Sequence, residues 1–211
     1  MTPFHFGLLP AERADWLRGI VKGLPGWCSP EKAVRLADLV LHAKPMISVD
    51  LGVFGARSTL ALAEGHRFAG VGYVTGVDPW ATEAALEGTN DQSNVDWWSN
   101  LDLEKIYRGA MQTMCNQAVL PHWQMLRLKS KDAAGHFSDG SIGLLHQDSN
   151  HSPEVSQEEL RLWMPKMMPG AIWLMDDVNW ESLKETQVIL QDQYGAVLQE
   201  HHTDWAVFSL P

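Results

Sequence analysis

Apolar positions recur at helical spacing through the first part of the chain. Over residues 10–24, Trp16, Ile20, Val21 and Leu24 fall on one side of a helix. Pro25 and Gly26 break that pattern. Ser29 then reads as the cap of a second helix, with Pro30 at its first position and Glu31 in its first turn. Ala33, Leu36, Leu39 and Val40 form its apolar stripe, and Pro45 ends it. From there short apolar runs alternate with helical ones. Strands are predicted at 46–52, 73–77, 123–129, 141–147 and 171–175. Helices are predicted at 57–66, about 101–118, 154–166 and about 181–192, before two last strands near 196–201 and 205–210.

Strands that alternate with helices predict an α/β fold, a doubly wound, mostly parallel sheet with helices on both faces. The last two strands are separated by about three residues, too few for a parallel crossover, which needs a dozen or more, so they must form an antiparallel hairpin. Residues 79–100 break the rhythm. They are polar, weakly periodic and carry Trp80, Trp97 and Trp98, as a lid or substrate-binding loop would. With no repeat and no linker, the chain reads as one domain, 1–211, with residues 1–45 as an N-terminal helical extension.

The 211 residues include 16 basic and 26 acidic side chains, a formal charge of −10. Such a chain repels phosphate backbones and is not expected to bind nucleic acid. A 45% hydrophobic share with 20% charged residues fits a folded domain. Cys28 and Cys115 are the two cysteines, too few for a disulfide framework or a cysteine zinc site. The first residues lack a secretory pattern, and no apolar run reaches the roughly 18 residues of a membrane span. A soluble, cytoplasmic protein is the expectation, and the N-terminal helices could pack on a second copy.

Candidate chemistry gathers at predicted strand ends, where open α/β sheets bind ligands. The first strand runs into Asp50-Leu51-Gly52-Val53-Phe54-Gly55-Ala56-Arg57-Ser58. Its glycines either let a ligand approach the backbone or only make a tight turn. The turn is one glycine short of the dinucleotide fingerprint, which disfavours NAD and fits a nucleoside without a pyrophosphate. Asp78, ending the second strand, could accept hydrogen bonds from two ribose hydroxyls. Asp148, Asp176 and Asp177 fall at the ends of two neighbouring strands. Three converging carboxylates repel one another unless a cation such as Mg²⁺ neutralises them, although single members could instead cap helices. His151, three residues past Asp148, lies at the rim of the same crevice. A histidine, ordinarily titrating near about 6.5, suits a general base.

These residues resemble a class I S-adenosylmethionine-dependent methyltransferase, most closely the metal-dependent O-methyltransferases of macrolide and aminocoumarin sugar type and their cephalosporin-hydroxylase-like relatives. The resemblance spans roughly residues 26–210. It is carried by VDLGVFGARSTLALA (49–63), GVDPW (76–80), GLLHQDSNHSPE (143–154) and LWMPKMMPGAIWLMDDVNW (162–180). It implies a Rossmann-like methyltransferase sheet, with cofactor contacts at Asp50, Gly52, Val53, Gly55, Arg57, Ser58, Asp78, Trp80, Ser130 and Asp148. The acids also resemble those of catechol O-methyltransferase, where one metal ligand follows strand four and two adjacent ligands follow strand five. That likeness implies Mg²⁺, or another divalent cation, on Asp148, Asp176 and Asp177, with His151 as base. The family sequence at the fourth strand is close to HIDGDHSYE; here Ser149, Asn150 and Pro153 stand for its glycine, acid and aromatic residue.

The implied reaction transfers a methyl group to a metal-bound hydroxyl of a sugar or other small molecule. Trp80, Trp97, Trp98 and Trp180, in loops around the crevice, could stack on a ring-shaped acceptor, whereas Trp163 and Trp173 read as core. Two rival readings remain. His146, Asp148 and His201 or His202 could form an Fe(II) oxygenase triad. Alternatively, the fold could bind the cofactor without catalysis.

Overall fold

The computed structural model describes residues 4–117, 119 and 121–211. Residue 118, the last of the expected helix 101–118, lies outside them. Helix α1 spans Ala11–Lys22, and it buries Ala14, Leu17 and Val21. Trp16 and Ile20 are only half-buried against that core, so the apolar face sits slightly round from the expected one. In α2 (Pro30–Ala43) the Ser29 hydroxyl accepts the Lys32 amide at 3.1 Å, and the whole expected stripe is buried.

Strand β1 (Ile47–Leu51) leads through the glycine turn into α3 (Arg57–Ala69), and β2 (Tyr73–Val77) follows. The 79–100 segment carries two short helices that its weak periodicity did not predict, α4 (Thr82–Ala85) and α5 (Gln92–Ser99). Asp91 caps α5 by accepting the Asn94 amide at 2.8 Å. Next come α6 (Leu103–Asn116), β3 (Trp123–Leu126), α7 (Ser130–Ala133), β4 (Ile142–Gln147), α8 (Pro153–Trp163) and β5 (Met167–Asp176). The chain finishes with α9 (Lys184–Asp192) and the hairpin β6 (Val197–His201) and β7 (Trp205–Ser209).

The sheet order is β3-β2-β1-β4-β5-β7-β6. Strands β1 to β5 are parallel; β7 runs antiparallel to both β5 and β6. One core lies between the sheet and α1, α2, α3 and α6. The other packs α7, α8 and α9 on the opposite face, around the fully buried Trp163 and Trp173. Strand order reverses between β1 and β4, so a crevice opens beyond their carboxyl ends. No helix among the described residues is long and apolar enough to cross a membrane.

Candidate active site

A cavity of about 830 Å³ occupies that crevice, within the size range of small-molecule sites. Its walls come from the glycine turn, the end of β2, the 79–100 segment, the turn before α7 and the ends of β4 and β5. Residues of the 79–100 segment therefore form part of the cavity wall. Its α5 tryptophans join an aromatic cluster at the wall: Trp97 lies 4.8 Å from Trp98 and 4.9 Å from Trp27, ring centre to ring centre, and Trp98 lies 6.0 Å from Phe54. Trp80 differs from expectation. It is buried, packs on Tyr107 at 4.9 Å and donates its indole N–H to the Phe54 carbonyl at 3.0 Å. It still contributes to the cavity lining.

The glycine turn is shaped by the protein itself. A Cβ on Gly52, where φ is +89°, would stand 1.8 Å from the Asp148 carbonyl oxygen. A Cβ on Gly55 would stand 2.2 Å from the Pro25 carbonyl oxygen. Both glycines are needed because other backbone occupies the side-chain position. Phe54 (φ +46°) and Ala56 (φ +69°) share the left-handed region, so the turn is tightly determined. Asp78 holds it from the β2 side: its Oδ2 accepts the Val53 and Phe54 amides at 3.0 and 2.9 Å, and its Oδ1 accepts the Trp80 amide at 2.7 Å. Three of roughly four lone-pair sites are thereby filled, leaving one on Oδ1 for a hydroxyl rather than the expected two. Burial pushes the Asp78 carboxyl up, against the pull of those three amides.

Four further expected cofactor contacts also bond within the protein. The Arg57 guanidinium reaches back to the N-terminal segment, donating from Nε to the Leu24 carbonyl at 2.8 Å and from Nη1 to the Cys28 carbonyl at 3.2 Å. Asp50 is fully buried behind the turn. It accepts the Ser58 hydroxyl at 2.9 Å, the Thr59 hydroxyl, and His146 Nδ1 at 2.7 Å. Ser58 thus spends its hydroxyl on Asp50. Ser130 lines the cavity but accepts the Trp163 indole N–H at 2.8 Å.

The acids do converge at the β4 and β5 ends, with one addition that the sequence reading missed. Lys32 of α2, only 2% exposed, places its ammonium on Asp176 Oδ2 and 3.9 Å from Asp148 Oδ2. His146, oriented by Asp50, points Nε2 at Asp176 Oδ2 from 3.7 Å without forming a hydrogen bond. Burial pushes Asp176 up, but Lys32 and then His146 outweigh it and hold the carboxyl well below the usual range. Burial and then Asp176 push Asp148 up, against Lys32. Burial would depress the Lys32 ammonium, and Asp176 and Asp148 raise it instead. A signal was present: Lys32 stands four, seven and eight residues before Leu36, Leu39 and Val40, on the buried stripe of α2.

His151 lines the cavity from the turn after β4. Its Nε2 is 2.6 Å from Asp177 Oδ2, without hydrogen-bond geometry, and 4.0 Å from Asp148 Oδ1, and its ring packs on Trp180 at 4.7 Å. Asp177 holds a left-handed φ of +51° to reach it, the kind of backbone strain that clusters at functional sites.

The donor set does not fit the expected metal trio. Groups that could share an ion are His146, Asp148 and Asp176, or Asp148, His151 and Asp177. In the first, the Lys32 ammonium already sits on Asp176 Oδ2 and 3.9 Å from Asp148 Oδ2. The second would take up His151, the expected base, as a ligand. The iron triad also fails on topology. His201 lies on β6, three strands from His146 on β4, or roughly 14 Å at the usual strand spacing.

A sequence pattern describing a methyltransferase domain matches residues 49–178, more than half of the chain. No curated protein matches it. Among solved structures, a methyltransferase from Geobacter sulfurreducens is similar at 14% identity, with a TM-score of 0.62 over 97% of this chain and 92% of its own. The O-methyltransferase NovP is similar at 13% identity, with a TM-score of 0.61 over 94% of this chain and 79% of its own. The SAH-bound methyltransferase PaMTH1 from Podospora anserina is similar at 11% identity, with a TM-score of 0.62 over 95% and 86%. At these identities the structures speak for the fold, and the matched domain carries the assignment: the chain belongs to the methyltransferase-domain family and is an enzyme of the S-adenosylmethionine-dependent methyltransferase type.

Proposed function

We propose that this enzyme methylates a hydroxyl group of a small, ring-shaped acceptor, with S-adenosylmethionine as donor and His151 as general base. The observation that carries the reading is the Asp177–His151 pair, which opens on the same cavity that Asp78 and the glycine turn close at its other end.

The cofactor half fits this cavity. The turn from Gly52 to Ser58, the remaining acceptor on Asp78 and the turn around Ser130 offer a curved polar wall to a nucleoside. When bound there, S-adenosylmethionine supplies a methyl group on a sulfonium centre. The acceptor half is built from His151, Asp177 and Trp180. Trp180 is 41% exposed and packs at a tilt beside the histidine, so a sugar or aromatic ring held against its exposed surface would lie near the imidazole. Asp177 Oδ2, 2.6 Å from Nε2, places a carboxylate beside the imidazolium that forms when the ring takes the acceptor's proton. The new O–C bond forms as the C–S bond breaks, and the residues around the cavity mainly hold the two partners in contact.

The test joins calorimetry to turnover. The protein should bind S-adenosylhomocysteine at about micromolar affinity, near −8 kcal/mol. Across a panel of hydroxylated ring compounds, His151→Ala should lower turnover by about 10²-fold or more with the cofactor affinity unchanged. Full turnover in that variant would remove His151 from the reaction, and failure to bind the cofactor would remove the reading itself.

A further inference from the structure

Asp148 and Asp176 both line the cavity, and two carboxylates this close repel one another unless a cation or a proton relieves the pair. In this chain the cation is covalently attached. The Ser29 cap and Pro30 set the start of α2, and the first turn then carries Lys32 inward to Asp176 and Asp148. A buried ammonium is costly unless paired and hydrogen-bonded, so its placement here is specific. His146, held by Asp50, stands 3.7 Å from the same Asp176 oxygen. No other ammonium or guanidinium group is paired with Asp148 or Asp176 among the described residues.

We infer that Lys32 is the resident cation of this acid cluster, occupying the carboxylate oxygens that a divalent metal would otherwise need, so that the enzyme holds its site and turns over without added metal. This rests on the methyltransferase reading above. Lys32 acts through Asp176 and Asp148 and is therefore a positioning residue.

The experiment is a Mn²⁺ titration of the full chain, followed by the paramagnetic resonance signal of free Mn²⁺, for the wild type and for Lys32→Met. Methionine keeps the unbranched side chain as far as Cε and removes the ammonium. The wild type should show no site tighter than about millimolar, since an ammonium already neutralises the oxygens a hard cation would need. Lys32→Met should bind Mn²⁺ at least about tenfold more tightly, because its carboxylates are left unpaired. Wild-type turnover should be the same in EDTA as in Mg²⁺, whereas Lys32→Met should be restored by Mg²⁺. Micromolar Mn²⁺ binding by the wild type, or its loss of turnover in EDTA, would overturn the inference. So would a folded Lys32→Met with no gain in Mn²⁺ affinity. If that variant does not fold, the wild-type titration alone decides. S-adenosylhomocysteine binding in the same samples reports on the methyltransferase assignment separately: its absence would sink that assignment whatever Mn²⁺ does.

Discussion

Gly52 and Asp148 are packed backbone to backbone: the Asp148 amide donates to the Leu51 carbonyl at 2.9 Å, and the Asp148 carbonyl oxygen fills the place of a Gly52 side chain. The first strand's turn and the fourth strand's acid are thus one unit. A methyl group at Gly52 would collide with backbone and strain a φ of +89°. Gly52→Ala is expected to cost upwards of about 3 kcal/mol in urea denaturation and to weaken S-adenosylhomocysteine binding. A variant of wild-type stability would show that the turn can shift freely.

Arg57 ties the helical N-terminal region to the site. Both of its ligands are carbonyls in the 24–28 connection, and Gly55 packs against Pro25 beside them. Arg57→Ala should lose about 1.5–3 kcal/mol of stability, the usual range for a hydrogen bond from a charged group. Hydrogen exchange should speed up at 24–28, with cofactor affinity nearly unchanged. A large affinity loss with no change in exchange would return Arg57 to the role of a cofactor contact.

Most of the architecture was legible because it depends on local pattern. The 73–77 strand, the Ser29 cap and the C-terminal hairpin follow from alternation, capping chemistry and connection length. The convergence of Asp148, Asp176, Asp177 and His151 was legible for the same reason, since each closes a strand or the turn after it. What the sequence hid was long-range pairing. Nothing local assigns Lys32 to Asp176, 144 residues away, or makes Arg57 face Leu24 rather than a ligand. The helices of 79–100 were hidden because α5 has no buried residue to give it a stripe.

His66 gives stability a pH dependence outside the site. It is fully buried, with Nδ1 2.9 Å from the Val71 carbonyl and Nε2 2.9 Å from the Ser48 hydroxyl. Burial, against the Val71 hydrogen bond, lowers its pKa from 6.5 to about 4. Between those values the unfolded chain binds the proton and the folded one does not, so stability rises with pH. The contribution is complete above about pH 6.5 and is lost towards pH 4, up to about 3 kcal/mol across the window. Urea midpoints at pH 7 and pH 5 should differ for the wild type and converge for His66→Gln. An equal slope in both proteins would place the titration elsewhere.

Asn150 stands where the O-methyltransferases that the sequence resembles carry an acid, and its contacts predict the effect of that difference. Its amide nitrogen donates to the carbonyls of Ala84 at 3.1 Å, Ala85 at 2.9 Å and Glu87 at 3.0 Å, holding the 79–100 segment over the cavity. Lys129 and Lys131 grip Glu87 on the same stretch, at 2.7 and 2.6 Å. An aspartate at 150, the residue type usual in the family, has no N–H to give and would set a charge against three carbonyl oxygens. Asn150→Asp, nearly identical in shape, should therefore loosen the segment without disturbing the core. Proteolysis within 79–100 should accelerate, and S-adenosylhomocysteine should leave faster, with affinity down about tenfold, or about 1.4 kcal/mol. Raised ionic strength should add to the effect by weakening the half-exposed Glu87 pairs. If the variant resists protease as the wild type does, the segment is held by its aromatic packing on Phe54 and Trp27 rather than by the Asn150 amide.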